Sequence, residues 1–239
     1  MLDQSSSMYW GHFTEACVLI MPNILYLDTT PDIEGPPIVI REIAKHYGYV
    51  VDYHRYFDRQ TFESHVKNSA RPFEILYFAS HGDPNGVQCN NEHQDAIRDF
   101  SWPELGELFC QAEGLNANST ILLASCDAGF RRGAIILMAN CDKINAVAGL
   151  PCKMEVQNEA IIFHTFLRHL CSNSSSEQLE QAVSLASGQQ FKMFKRFDMD
   201  AEIEILAHLR PDICFTKPPE DAEETSETQG VEEPDENGH

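Results

Sequence analysis

The feature that most narrows the fold is a set of short runs that are apolar along their whole length. These are NILYLD (23–28), EILYFAS (74–80), TILLAS (120–125) and INAVAGL (144–150). A strand with one wet face alternates apolar and polar residues, whereas a continuous apolar run is buried on both faces, as in a parallel sheet covered by helices. YVVDYHRY (49–56), β-branched and aromatic, reads as a further strand. Segments of helical spacing separate the runs: IVIREIAKHYG, ending at Gly48; RQTFESHVKNS (59–69); SWPELGELFCQAEG; RRGAIILMANC; EVQNEAIIFHTFLRHLCS (155–172); and SSEQLEQAVSLASGQ (175–189). Strand and helix therefore alternate, and the expected class is α/β: a three-layer sandwich with a mostly parallel sheet flanked by helices on both faces.

Local signals support individual elements. Ser101, Pro103 and Glu104 form the start of a capped helix, with Ser101 as N-cap and Glu104 reaching back to it. Phe163, Phe166, Leu167 and Leu170 make an i, i+3, i+4, i+7 stripe, the pattern of core packing. The segment 82–100 is rich in Asn and Asp and reads as a long surface loop. AEIEILAHL (201–209) and DICF (212–215) have less regular patterns. Residues 1–22 read as a polar, peripheral lead-in, 23–216 as one domain, and 217–239 as a disordered acidic tail. That tail is too poor in apolar residues to offset its ordering entropy.

The net charge is −20, and nine of the carboxylates lie within 220–239, where there is no Lys or Arg, so the rest of the chain carries −11. A surface this negative repels phosphate backbones and anionic membranes, which argues against nucleic acid and membrane partners and favours basic peptides. The eight cysteines form no CxxC and no paired framework, and the N-terminus has no basic segment of a secretory signal. A reduced, cytoplasmic compartment is expected. No GxGxxG or GxxxxGK[ST] occurs, and no cofactor is expected.

Two of the apolar runs end alike. The first closes on Ser80-His81-Gly82 and the second on Ser125-Cys126-Asp127, with 45 positions between histidine and cysteine. In an open parallel sheet, ligands gather beyond the carboxyl ends of the strands. If the two strands are neighbours joined by a crossover through 82–119, His81 and Cys126 come together there. A thiol needs an imidazole to take its proton before it becomes an effective nucleophile. The main-chain N–H groups of Gly82 and Cys126 are the candidate donors to an oxyanion, and Gly82 admits close approach of a substrate carbonyl. Gly129 eases the turn into the next helix. Taken singly, Cys126 reads as a buried strand-end thiol and His81 as a turn residue; together, at matching positions on consecutive strands, they read as a catalytic pair.

A strand ending in Ser-His-Gly followed by one ending in Ser-Cys-Asp-Ala-Gly resembles the caspase-like cysteine peptidases of clan CD. The resemblance is closest to the CHAT type and other bacterial caspase-like proteases. Caspases carry their histidine about 50 residues before the cysteine. INAVAGLPCKMEVQNEAIIFHTFLRHL is similar to the strand, loop and helix that follow the nucleophile in CHAT domains, and the likeness runs over roughly residues 23–190. The usual Ala before the cysteine is Ser125 here, Asp127-Ala128-Gly129 stands for Glu-Thr-Gly, and GLPCKMEV lacks the usual tryptophan. The resemblance implies a caspase-like α/β domain that cuts peptide bonds through Cys126 and His81. It also implies a bacterial stress or anti-phage setting and a separate protein regulator. Asp83, Asp127 and Glu155 are the carboxylates expected near the substrate. They favour a basic residue before the scissile bond over the acidic one that Arg131 and Arg132 would suit; both arginines are expected on the following helix, facing solvent.

The alternative reading is a catalytically idle caspase-like scaffold or interaction module; a second is a flavodoxin-like small-molecule binder. Asp83 is also a candidate to orient His81. No metal site is expected. His164 and His169, five apart on a helix, do not share a face; His46 with Glu42, His54 with Asp52, and His65 read as ordinary polar contacts.

Overall fold

The computed structural model describes residues 23–30, 36–56, 58–69, 71–88, 100–126, 131–152, 155 and 158–209. Its centre is a six-stranded sheet in the order β2-β1-β3-β7-β8-β9. β1 (Asn23–Asp28), β2 (Val50–Arg55), β3 (Phe73–Ala79), β7 (Leu115–Ala124) and β8 (Ile144–Gly149) are mutually parallel. β9 (Lys192–Lys195) runs antiparallel along β8. The continuous apolar runs are thus the parallel strands. β9 has only Met193 and Phe194 between two lysines, a composition that suits a sheet edge because charged side chains discourage further pairing.

The strands divide their side chains between two cores by simple alternation. Leu25 and Leu27 of β1, Leu76 and Phe78 of β3, and Ile121 and Leu123 of β7 pack under α2 (Arg59–Lys67), α3 (Trp102–Gln111), α4 (Arg131–Asn140) and α7 (Asp200–Leu209). Ile24, Tyr26, Ile75, Tyr77 and Leu122 face the other layer, α1 (Pro36–His46), α5 (Glu159–Cys171) and α6 (Ser176–Ser187). The expected three-layer sandwich is therefore what forms. Phe163, Phe166 and Leu167 are fully buried, and Leu170 packs partly against the same core, as the stripe on α5 requires.

Helix starts follow the side chains that satisfy their free N–H groups. The Asp58 carboxylate accepts from the Thr61 amide at 2.8 Å, and the Glu104 carboxylate accepts from the Ser101 amide at 2.8 Å. The segment expected as one loop, 82–100, is more ordered at its two ends. β4 (His81–Asp83), β5 (Gly86–Gln88) and β6 (Phe100–Ser101) form a small antiparallel sheet. Strands of two or three residues are too short to show a hydrophobic period, so polar composition alone read as loop. The lead-in 1–22, DICF and the tail lie outside the described residues.

Candidate active site

β3 and β7 are neighbours, in register through Ala79 and Ala124. One residue later the Ser80 amide donates to the Ala124 carbonyl at 3.4 Å, so both chains leave the sheet side by side. His81 then opens β4, and Cys126 sits in the turn after β7; both are half-buried. Between these two segments the close approach is at Gly82. A Cβ there would stand 2.7 Å from the Cys126 carbonyl oxygen, 3.1 Å from Ser125 Oγ and 3.2 Å from Ser125 Cβ. Only glycine lets the β4 backbone lie flat against the cysteine turn. The expected convergence of the two segments at the carboxyl edge is therefore present.

The edge is anchored from β1. The amide and hydroxyl of Thr29 both donate to the Ala79 carbonyl, at 2.9 and 3.2 Å, fixing the last residue of β3 just before Ser80-His81. Beside Thr29, the Asp28 carboxylate is 1% exposed yet fully engaged. One oxygen accepts from the amide and hydroxyl of Thr30, the other from Tyr53 at 2.8 Å and the Arg55 guanidinium at 3.1 Å. Burial works against the Arg55 charge, but Asp28 outweighs it and holds the guanidinium above its usual pKa. Burial and then Asp28 push the Tyr53 phenol up to about 12.

Beneath this lies a row of three tyrosines, one per strand, at matching register: Tyr53, Tyr26 and Tyr77. Their rings meet edge to face with centroids 4.9 and 4.6 Å apart. The hydroxyls of Tyr77 and Tyr26 both donate to one carboxylate oxygen of Glu159, in the first turn of α5. Glu159 is buried, and burial raises its pKa above the carboxylate norm, the Tyr77 hydrogen bond opposing and the Asp28 charge reinforcing the shift. Burial and Glu159 in turn raise both phenols. Sequence reading missed this cluster. Its available signal was an acid closing an apolar run, with tyrosines at the same parity on consecutive strands.

The expected substrate-side carboxylates are placed unevenly. Asp83 pairs its backbone with Gly86 across the hairpin. Asp127 and Gly129 lie outside the described residues. Glu155 is exposed and accepts from the Asn158 amide group at 3.1 Å. Arg131 and Arg132 are exposed at the start of α4, as expected, and Arg131 makes two 2.7 Å bonds to the Glu202 carboxylate. A groove of about 370 Å³ opens on the same edge past β8, lined in part by Arg131, Pro151, Glu180, Lys192 and Lys195. Lys192 is held there by Glu180 at 3.1 Å.

The remaining histidines make local contacts. His54 bonds Asp52 at 3.0 Å, His164 bonds the Tyr47 hydroxyl at 3.2 Å, and His169 bonds Ser174 at 3.0 Å. His46 meets the Tyr47 ring edge-on, and His65 lies against His54 with ring centroids 3.7 Å apart, a pairing sequence reading did not find. No helix among the described residues is long and apolar enough to cross a membrane.

No protein-family model matches the chain, and none of the curated proteins matches it in sequence. Among solved structures it is similar to the crystal structure of the Arg-specific cysteine proteinase gingipain R, with a TM-score of 0.46 and 9% identity over 72% of this chain and 46% of that one. It is also similar to the complex of the pro- and mature domains of RgpB from Porphyromonas gingivalis, with a TM-score of 0.44 and 9% identity over 72% of this chain and 47% of that one. The chain thus spans about half the length of the solved chains it matches.

Proposed function

We propose that the chain is a caspase-like cysteine endopeptidase, with Cys126 as nucleophile and His81 as general base and then acid. The observation that carries this reading is the fit of Gly82 against the Cys126 carbonyl, which brings an imidazole-bearing strand and a thiol-bearing turn together at the carboxyl edge of a parallel sheet. His81 takes the thiol proton, the thiolate attacks the peptide carbonyl, and the imidazolium returns the proton to the leaving amine. The main-chain N–H groups of Gly82 and Cys126 receive the oxyanion in this scheme. Water then hydrolyses the thioester by the same acid–base route.

A basic residue before the scissile bond is the proposed preference. Asp83 and Asp127 adjoin His81 and Cys126 in sequence, the CHAT resemblance puts an acid near Glu155, and the chain carries a net charge of −20. Of the two arginines that would suit an acidic residue instead, Arg131 is paired with Glu202. By its sequence likeness to the CHAT type, the enzyme would act in a bacterial stress or anti-phage system under a separate protein regulator.

The test is intact-mass labelling of the protein with lysyl, arginyl and aspartyl peptide ketone electrophiles. A single adduct at Cys126, faster with the basic probes and lost in His81→Ala, is the expected result. Slow labelling spread over several cysteines and unaffected by His81→Ala would sink the peptidase reading. Faster reaction with the aspartyl probe would reverse the pocket preference alone.

A further inference from the structure

A second group of chemically competent side chains lies at the opposite edge of the sheet. Gly106 of α3 lies directly against α4: a Cβ there would be 2.8 Å from Asn140 Cβ and 3.3 Å from the Leu137 carbonyl oxygen. The missing side chain lets the two helices approach closely. One turn further along α3, that approach carries Cys110 to Cys141, the residue after the end of α4. The two sulfurs and a carboxylate oxygen of Asp142 all lie within 4.8 Å of one another. A tetrahedral zinc ion with Zn–S bonds of about 2.3 Å holds its sulfurs about 3.8 Å apart, so little movement separates this arrangement from a ligand set.

Burial disfavours a thiolate at Cys141, but cations stand close to the cluster. The Ile144 amide donates to the Cys141 carbonyl at 3.3 Å, closing the turn that carries the thiol. The Lys143 ammonium donates to the carbonyls of Cys110 and Ala112 at 3.0 and 2.9 Å. The Arg196 guanidinium donates to the carbonyls of Met138 and Cys141 at 2.6 and 2.7 Å. Two thiolates, one carboxylate and a divalent ion leave one negative charge, which these two cations offset. Without a metal, burial pushes the Cys141 thiol up to about 12, so it stays protonated and unreactive.

We propose that Cys110, Cys141 and Asp142 form a binding site for a thiophilic divalent ion, zinc foremost, which pins the end of α3 to the α4–β8 turn. Asp142 is exposed and Cys141 buried, so the fourth position faces solvent and takes water. Both thiols release their protons on binding, and affinity therefore rises with pH. α3 begins at the β4–β6 sheet that carries His81, and α4 begins five residues after Cys126, so the ion clamps the two helices that flank the candidate active site. The site is independent of the peptidase reading.

The experiment is titration of the full chain, reduced with a phosphine, with Zn²⁺ and with Cd²⁺, the latter followed by thiolate-to-metal charge-transfer absorption. A Cys126→Ala background removes the thiol of the other site. One equivalent of Cd²⁺ should bind with that absorption, release protons and raise Tm. Cys110→Ser and Cys141→Ser should each weaken binding by roughly a hundredfold, and the exposed Asp142→Asn by about tenfold. If Cys141→Ser fails to fold, Cys110→Ser and Asp142→Asn decide. Absence of the charge-transfer absorption, or binding that Cys110→Ser and Asp142→Asn leave unchanged, overturns the site.

Discussion

Two neighbouring stretches of the same sheet edge differ in how far their buried polar groups are tied together. At the β1–β2 end, Asp28 has four donors on its carboxylate, and Thr29 and Arg55 are satisfied around it. At the β3–β7 end, Ser80 and Ser125 are equally buried, at 4% and 1% exposure, yet neither hydroxyl has a partner among the described residues. The first end is a scaffold built around Asp28, although the hydroxyl of Tyr56, buried just after β2, likewise has no partner among the described residues. The second is where backbone crowding at Gly82 and uncompensated hydroxyls are tolerated, beside a thiol and an imidazole.

Substitutions at the two ends should separate these roles. The largest effect belongs to Cys126→Ala, which should lower peptidase turnover and probe labelling by about a thousandfold or more while leaving the unfolding midpoint in urea unchanged. A matching loss of stability would mean the thiol is merely core. Asp28→Ala should do the reverse, costing about 3 kcal/mol in denaturant titration because Arg55 and Tyr53 lose a buried acceptor. A cost below about 1 kcal/mol would break the contrast. Gly82→Ala comes next: relief of the 2.7 Å contact must displace the hairpin or the cysteine turn. About 1–3 kcal/mol of stability and a marked slowing of Cys126 labelling are expected together. Unimpaired labelling would detach Gly82 from the site.

Glu159 sharpens the comparison through pH. Burial raises its native pKa, so the folded protein holds that proton more tightly than the unfolded chain, whose value is about 4.3. Its stabilising contribution is complete below that value and is lost as pH climbs to the native one. Glu159→Gln, which stays neutral, should therefore gain stability relative to the wild type across that window, read as the difference between their unfolding curves from pH 4 to 8. A difference that does not vary with pH would show an ordinary carboxylate. The smallest effect is assigned to Ser125→Ala. Removing an unpartnered buried hydroxyl should leave stability unchanged or raise it by up to about 1 kcal/mol. A loss above that would reveal a partner.

Most of the layer architecture was legible because it rests on local pattern. Continuous apolar runs read as central strands, Ser101 and Glu104 announce a helix start, and the α5 stripe announces its buried face. The pairing of the Ser-His-Gly and Ser-Cys segments was legible only conditionally, through a right-handed crossover over 82–119 that would make the strands neighbours, and β3 and β7 are neighbours. Where pattern was short or mixed, reading failed. The short β9, two apolar residues between lysines, was not assigned, and two- and three-residue strands disappeared into the polar composition of 82–100.

What the sequence determined by itself, then, is the class of the fold, the two faces of its sheet and the candidate pair at its carboxyl edge. These follow from the period of side chains along one segment, which the chain carries wherever it goes. Only the tertiary structure decided that Glu159 meets Tyr26 and Tyr77, that Asp28 gathers Tyr53 and Arg55, that His54 lies on His65, and that Gly106 brings Cys110 to Cys141. Each of these depends on how closely two elements approach and at what rotation. That geometry is set by the summed packing of both cores, which no single segment records.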